Sequence, residues 1–135
     1  MRVKAARNIL LALGAYYCAQ WLAAIVTTLL RILASASTVR DDFLHAVAGP
    51  FRMSVSDAIA AAACGIIVAL LADSPNPARW TLLPAALLFL GASSDARFAL
   101  TWADAAGQIV GATLPALVCI AAGRAAVWHR RVGLR

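Results

Sequence analysis

The sequence contains no glutamate, and charged residues make up only 13% of it. A soluble domain of 135 residues needs a larger polar surface than that to keep its core out of water. The catalytic vocabulary is equally thin. There is no H-E-x-x-H, no Walker lysine loop, no G-x-S-x-G and no C-x-x-C. The two histidines, His45 and His129, fall on opposite sides of the layout derived below, so no histidine pair forms a metal or haem site. The three cysteines, Cys18, Cys64 and Cys119, fit no metal-binding spacing and lie in apolar runs, where a thiol behaves as a small hydrophobe. These absences leave no catalytic residue, no metal and no cofactor to expect, and the reading is non-enzymatic.

What the chain does have is apolar length. Hydrophobic residues reach 63%, gathered in four runs: Ile9–Leu30, Val55–Ala72, Trp80–Ala92 and Ala105–Gly123. A helix rises about 1.5 Å per residue, so crossing a hydrocarbon core of ~30 Å takes ~20 residues. The expected fold is an all-α integral membrane protein, a four-helix transmembrane bundle in one domain covering residues 1–135. Helices are expected over about 8–34, 54–72, 79–93 and 103–124, with an outer loop at 35–53 and a basic tail at 124–135. The third run is short and relies on flanking residues or a thin bilayer. Ala34-Ser35-Ala36 matches a signal-cleavage pattern, but the run before it exceeds the usual h-region of ~7–15 residues and is read as a span.

The charges set the orientation. Arg2, Lys4, Arg7, Arg79, Arg124, Arg130, Arg131 and Arg135 share one side with Asp73 alone, a net charge of +7. The other side carries Arg31, Arg40, Arg52 and Arg97 against Asp41, Asp42, Asp57, Asp95 and Asp104, a net charge of −1. Excess Lys and Arg mark the cytoplasmic face. Both termini are therefore expected in the cytoplasm, with the chain in a bacterial inner membrane. The basic tail suits anionic head groups, and no nucleic-acid partner is expected.

Within that frame, Arg31, Asp57, Asp95, Arg97 and Asp104 come to a similar depth at the outer edge. They form either an ion-pair network or the mouth of a solute path, with Gln20, Gln108 and Thr113 deeper along it. Asp57 and Asp104 also stand in S/T-x-x-acid helix starts, Ser54–Asp57 and Thr101–Asp104. In the outer loop, Val39–Val47 has the pattern of a short amphipathic surface helix. Ala61, Gly65 and Ala69 recur at a spacing of four, and Gly107 and Gly111 form a G-x-x-x-G; both patterns suit close helix packing in lipid. Pro84 and Pro115 fall inside the third and fourth runs and permit kinks. Four helices enclose no wide pore, so a homo-oligomer or a partner membrane protein is expected.

The layout of Asp57–Val127 resembles the membrane half of the fusaric acid resistance and aromatic acid exporter superfamily. An Ala-rich helix leads to the turn Ser74-Pro75-Asn76-Pro77-Ala78-Arg79-Trp80, then to the apolar helix Thr81–Leu90. A polar connection follows, and then the Gly-spaced helix Ala106–Ala112. Trp80, Gly107 and Gly111 match the family pattern loosely; its basic position and Thr are missing here. The resemblance implies proton-driven or accessory export of aromatic carboxylates and carries over no catalytic residue. The leading expectation is a small transport-related membrane protein, an efflux component for small organic solutes. The alternative is a non-catalytic subunit that anchors or stabilises a larger membrane complex.

Overall fold

The computed structural model describes residues 2–36, 55–93 and 101–133. They fold as α1 (Arg2–Ala36), α2 (Val55–Leu71), a 3-10 turn (Pro77–Thr81), α3 (Leu82–Ser93) and α4 (Trp102–Val132), and there is no strand among the described residues. The first and last helices are long. At 35 and 31 residues they measure about 52 Å and 46 Å. Both contain stretches long and apolar enough to cross a membrane, Val3–Leu29 and Ala105–Val132. Only 17% and 22% of their most apolar windows are buried inside the protein. The core helix of a soluble protein would be mostly buried; these helices turn most of their apolar surface outward.

The helices run past their expected ends. α1 begins at Arg2 because Val3-Lys4-Ala5-Ala6-Arg7 holds no breaker and two good helix formers of positive charge. α4 does not stop at Gly123; it continues through the basic segment to Val132. Arg and Ala favour the helix, and the basic last turn suits its negative dipole end. Gly133 ends it, its N–H donating to the His129 carbonyl at 2.9 Å. Nine residues of the expected tail are thus helix, standing about 13 Å beyond Gly123.

The third run begins as a 3-10 turn. Pro77 opens it, and Thr81 donates its hydroxyl to the Ala78 carbonyl at 2.7 Å. Pro84 falls in the first turn of α3 rather than mid-helix. It has no N–H to give to the Trp80 carbonyl, so α-helical bonding stops short of Trp80. Pro115 does lie within α4, where its missing N–H leaves the Gly111 carbonyl without its helical donor.

The four helices form a ring in the order α1, α2, α4, α3. α2 packs on α1 and, most closely, on α4; α3 leans on α4 and more thinly on α1, while α1 and α4 scarcely meet. The core is built from small side chains: Ala12, Ala15 and Ala19 of α1, Ala60, Ala61, Cys64 and Val68 of α2, and Cys119 of α4. Small residues bring backbones close, and in lipid that contact replaces the hydrophobic drive of a water-facing core.

The closest approach is the α2–α4 crossing. Gly65 lies directly on the Cys119 carbonyl, and Gly123 lies against the Gly65 carbonyl, the Thr81 methyl and Ala69. Residues 65 and 69 of α2 therefore pair with 119 and 123 of α4, and the two helices run in the same direction.

Candidate functional site

Three groups of polar residues stand out: one end of the bundle, a few mid-bundle positions, and the opposite edge. At the first, Asn8 is buried and makes a reciprocal amide clamp. Its Nδ2 donates to the Asp73 carbonyl at 3.3 Å, and the Asp73 N–H donates to its Oδ1 at 3.1 Å. The clamp ties the start of α1 to the chain leaving α2. It also holds the Asp73 carboxylate beneath α1, where Lys4 Nζ meets it at 3.2 Å and Arg7 Nη2 at 3.1 Å. Lys4 and Arg7 are three residues apart on one helix face, so one carboxylate serves both. The pairing is solvent-exposed and contributes about 0–1 kcal/mol.

The 3-10 turn and the α4 extension close the same end, because Thr81 and Ala69 sit on Gly123. Arg79, Arg124, Arg130 and Arg131 are all exposed there, and none has a carboxylate partner among the described residues. Trp80 is half-buried against the core, and Trp128 is exposed beside His129, their rings edge-to-face at 5.0 Å. The structure thus gathers Arg2, Lys4, Arg7, Arg79, Arg124, Arg130 and Arg131 at one end, with Asp73 as the only acid there among the described residues.

In the middle of the bundle the polar residues do not converge. Gln20 faces outward from α1, beside Tyr17 at 63% exposure and Trp21 at 73%, and has no hydrogen-bond partner among the described residues. Gln108 is on α4, across the ring; its Oε1 is buried and has no partner among the described residues. Thr113 gives its hydroxyl to the Val110 carbonyl of its own helix at 2.6 Å. The three line no common path within one chain. Instead, Cys64 and Cys119 are buried in one core cluster at the α2–α4 crossing, with Cys119 Sγ 3.9 Å from the Thr81 carbonyl. Sequence spacing gave no sign of that pair, since its members lie on different helices.

At the opposite edge Thr27 of α1 donates to Ser56 of α2 at 2.7 Å, so α1 and α2 are tied at both ends. Asp57 lies in the first turn of α2 and is exposed. Arg31 and Asp104 lie on α1 and α4. Asp95, Arg97 and residues 37–54 of the loop fall outside the described residues. Of the small residues, Ala61, Gly65 and Ala69 are buried, and Gly111 is buried too. Gly107 is not at a close contact: a Cβ there would meet nothing within 4 Å. The crossing uses Gly123, at the end of the fourth apolar run. Among the described residues no three metal-ligating side chains cluster.

Comparison with protein-family models, with curated proteins and with solved structures finds no match.

Proposed function

We propose that the chain crosses the membrane four times, with both termini cytoplasmic, and works as a non-catalytic subunit of a larger transport-related assembly. Two of the spans are α1 and α4. The other two are α2, about 25 Å long, and the 3-10 turn with α3, together about 28 Å. Both fall slightly short of a ~30 Å core, a mismatch that costs fractions of a kcal/mol per Å. The gathering of basic residues at one end supports the cytoplasmic placement of that end.

The observation that carries the subunit reading is Gln20. It lies midway along α1 between the Asn8 and Thr27 ties, on an outward face, with no partner among the described residues. In hydrocarbon an unpaired amide costs several kcal/mol, and a neighbouring helix is the usual remedy. Gln20 is therefore a contact to a second subunit, and a solute path runs between subunits rather than through one. The layout resemblance over Asp57–Val127 is what supports export of small organic acids as the assembly's work.

The test is the mass of the intact particle in mild detergent, for the native chain and for Gln20→Leu. A multimer or a stoichiometric complex that falls apart in the variant is expected. A native monomer, or a complex indifferent to the substitution, would sink the reading. Export further predicts that Asp57→Asn or Asp104→Asn lowers organic-acid flux while the protein still accumulates; normal flux in both would remove the transport part.

A further inference from the structure

The basic end divides into two groups that the sequence does not separate. Lys4 and Arg7 are spent on Asp73 at 3.2 and 3.1 Å. Arg79, Arg124, Arg130 and Arg131 are exposed and have no carboxylate partner among the described residues. The free group is not scattered. Arg79 lies two residues before Thr81, and Arg124 follows Gly123; Thr81 and Gly123 touch. Arg130 and Arg131 stand further out on the same rigid helix.

The depth of these residues follows from lengths already measured. α4 is about 46 Å long, close to the ~40–45 Å of a bilayer with its head groups. Its last turns therefore lie at the level of lipid phosphates. Trp80 and Trp128 flank the cluster, as indoles do at a membrane interface. Arginine forks match phosphate oxygens in two-point contacts.

We propose that Arg79, Arg124, Arg130 and Arg131 form a binding surface for anionic phospholipid head groups, and that Asp73 limits its strength by holding Lys4 and Arg7 out of it. The occupant follows from charge complementarity: Arg130 and Arg131 at phosphate depth, with Arg124 and Arg79 about 9–10 Å further in at the edge of the head-group region, call for a lipid phosphate carrying net negative charge. The proposal rests on the membrane reading above. It also has a counter-intuitive consequence. Removing the Asp73 carboxylate adds one unit of charge and frees two further cations at once.

The experiment offers the full-length protein, in neutral detergent, equal amounts of phosphatidylglycerol and phosphatidylcholine of different chain mass. Lipids retained on the intact particle are counted by native mass spectrometry. One cation near an anionic surface contributes about fivefold in affinity. The native protein should favour phosphatidylglycerol at least tenfold. The combined variant R79Q/R124Q/R130Q/R131Q should bring the ratio to within about twofold of equality, and Asp73→Asn should raise it about fivefold or more. Equal retention of both lipids by the native protein overturns the proposal. So does full preference in the combined variant, or a co-purifying acidic protein that occupies the arginines in place of lipid.

The substituted side chains are exposed, and helical circular dichroism of each variant checks that it folds. Flotation with phosphatidylcholine vesicles keeps the two readings apart. A protein that floats with neutral vesicles but does not discriminate head groups refutes the lipid surface alone. One that floats with none refutes the membrane reading and the surface with it.

Discussion

Replacing Gly65 by alanine inverts the usual effect of that substitution. In an exposed helix position Gly→Ala stabilises by about 1 kcal/mol, because alanine has less backbone freedom to lose. At Gly65 the new methyl would overlap the Cys119 carbonyl oxygen and lie 2.8 Å from its carbon and 3.1 Å from its Cα. Carbon atoms prefer ~3.5–4.0 Å, and the obstacle is backbone that no rotamer change can move. α2 and α4 would have to separate by roughly 1 Å, loosening the Gly123 contact one turn along. Overpacking costs about 1–3 kcal/mol, and against immovable backbone the cost falls in the upper part of that range, so the expected net effect is destabilising by about 1–2 kcal/mol after the helix gain is deducted. Gly107→Ala is the matched control: its methyl enters open space, and the variant should be as stable as the native chain or up to about 1 kcal/mol more so. Both are read by circular dichroism during unfolding with a denaturing detergent, starting from mild-detergent micelles. The reasoning fails if Gly65→Ala is neutral or stabilising, or if Gly107→Ala is the more damaging of the two.

Asn8→Ala removes both arms of the clamp and strands the Asp73 N–H. It should cost about 1–3 kcal/mol in the same unfolding assay, whereas Asp73→Asn, which keeps the backbone arms, should cost under about 1 kcal/mol. Thr27→Val loses the bond to Ser56 and should cost about 0.6 kcal/mol, the size typical of hydrogen bonds between membrane helices. In mild-detergent micelles a maleimide should reach Cys64 and Cys119 only on unfolding, because both are buried at the α2–α4 crossing. Fast labelling of either before unfolding would contradict that burial.

The apolar runs made the helices legible, because lipid-facing length and hydropathy are properties of each segment alone. The spacing of Ala61, Gly65 and Ala69 is visible in the same way, and those positions line the crossing. The partner position was not legible. Gly107 and Gly111 have the better-looking pattern, yet α2 meets α4 near Cys119 and Gly123, and register between helices is set by the shape of both. Charge misled at the end of α4, where Arg124–Arg131 reads as a tail but Arg and Ala sustain a helix in any environment that satisfies the charge. The division between paired and free cations depends on where Asp73 is held, and that is decided by Asn8, a residue 65 positions away.

That separation also bears on the order in which the molecule is completed. α1 is synthesised before the rest of this bundle, but its anchor, the Asp73 backbone, emerges 65 residues later. At about 5–20 residues per second the wait is roughly 3–13 s. On the four-span reading, through that interval α1 is inserted but undocked, and Asn8 is left to water at the interface. The α2–α4 crossing comes later still, since Cys119 and Gly123 follow Asp73 in the chain. On the four-span reading, α1 thus waits undocked while the other three helices are made. In that window its outward Gln20 is as open to a neighbouring chain as to its own.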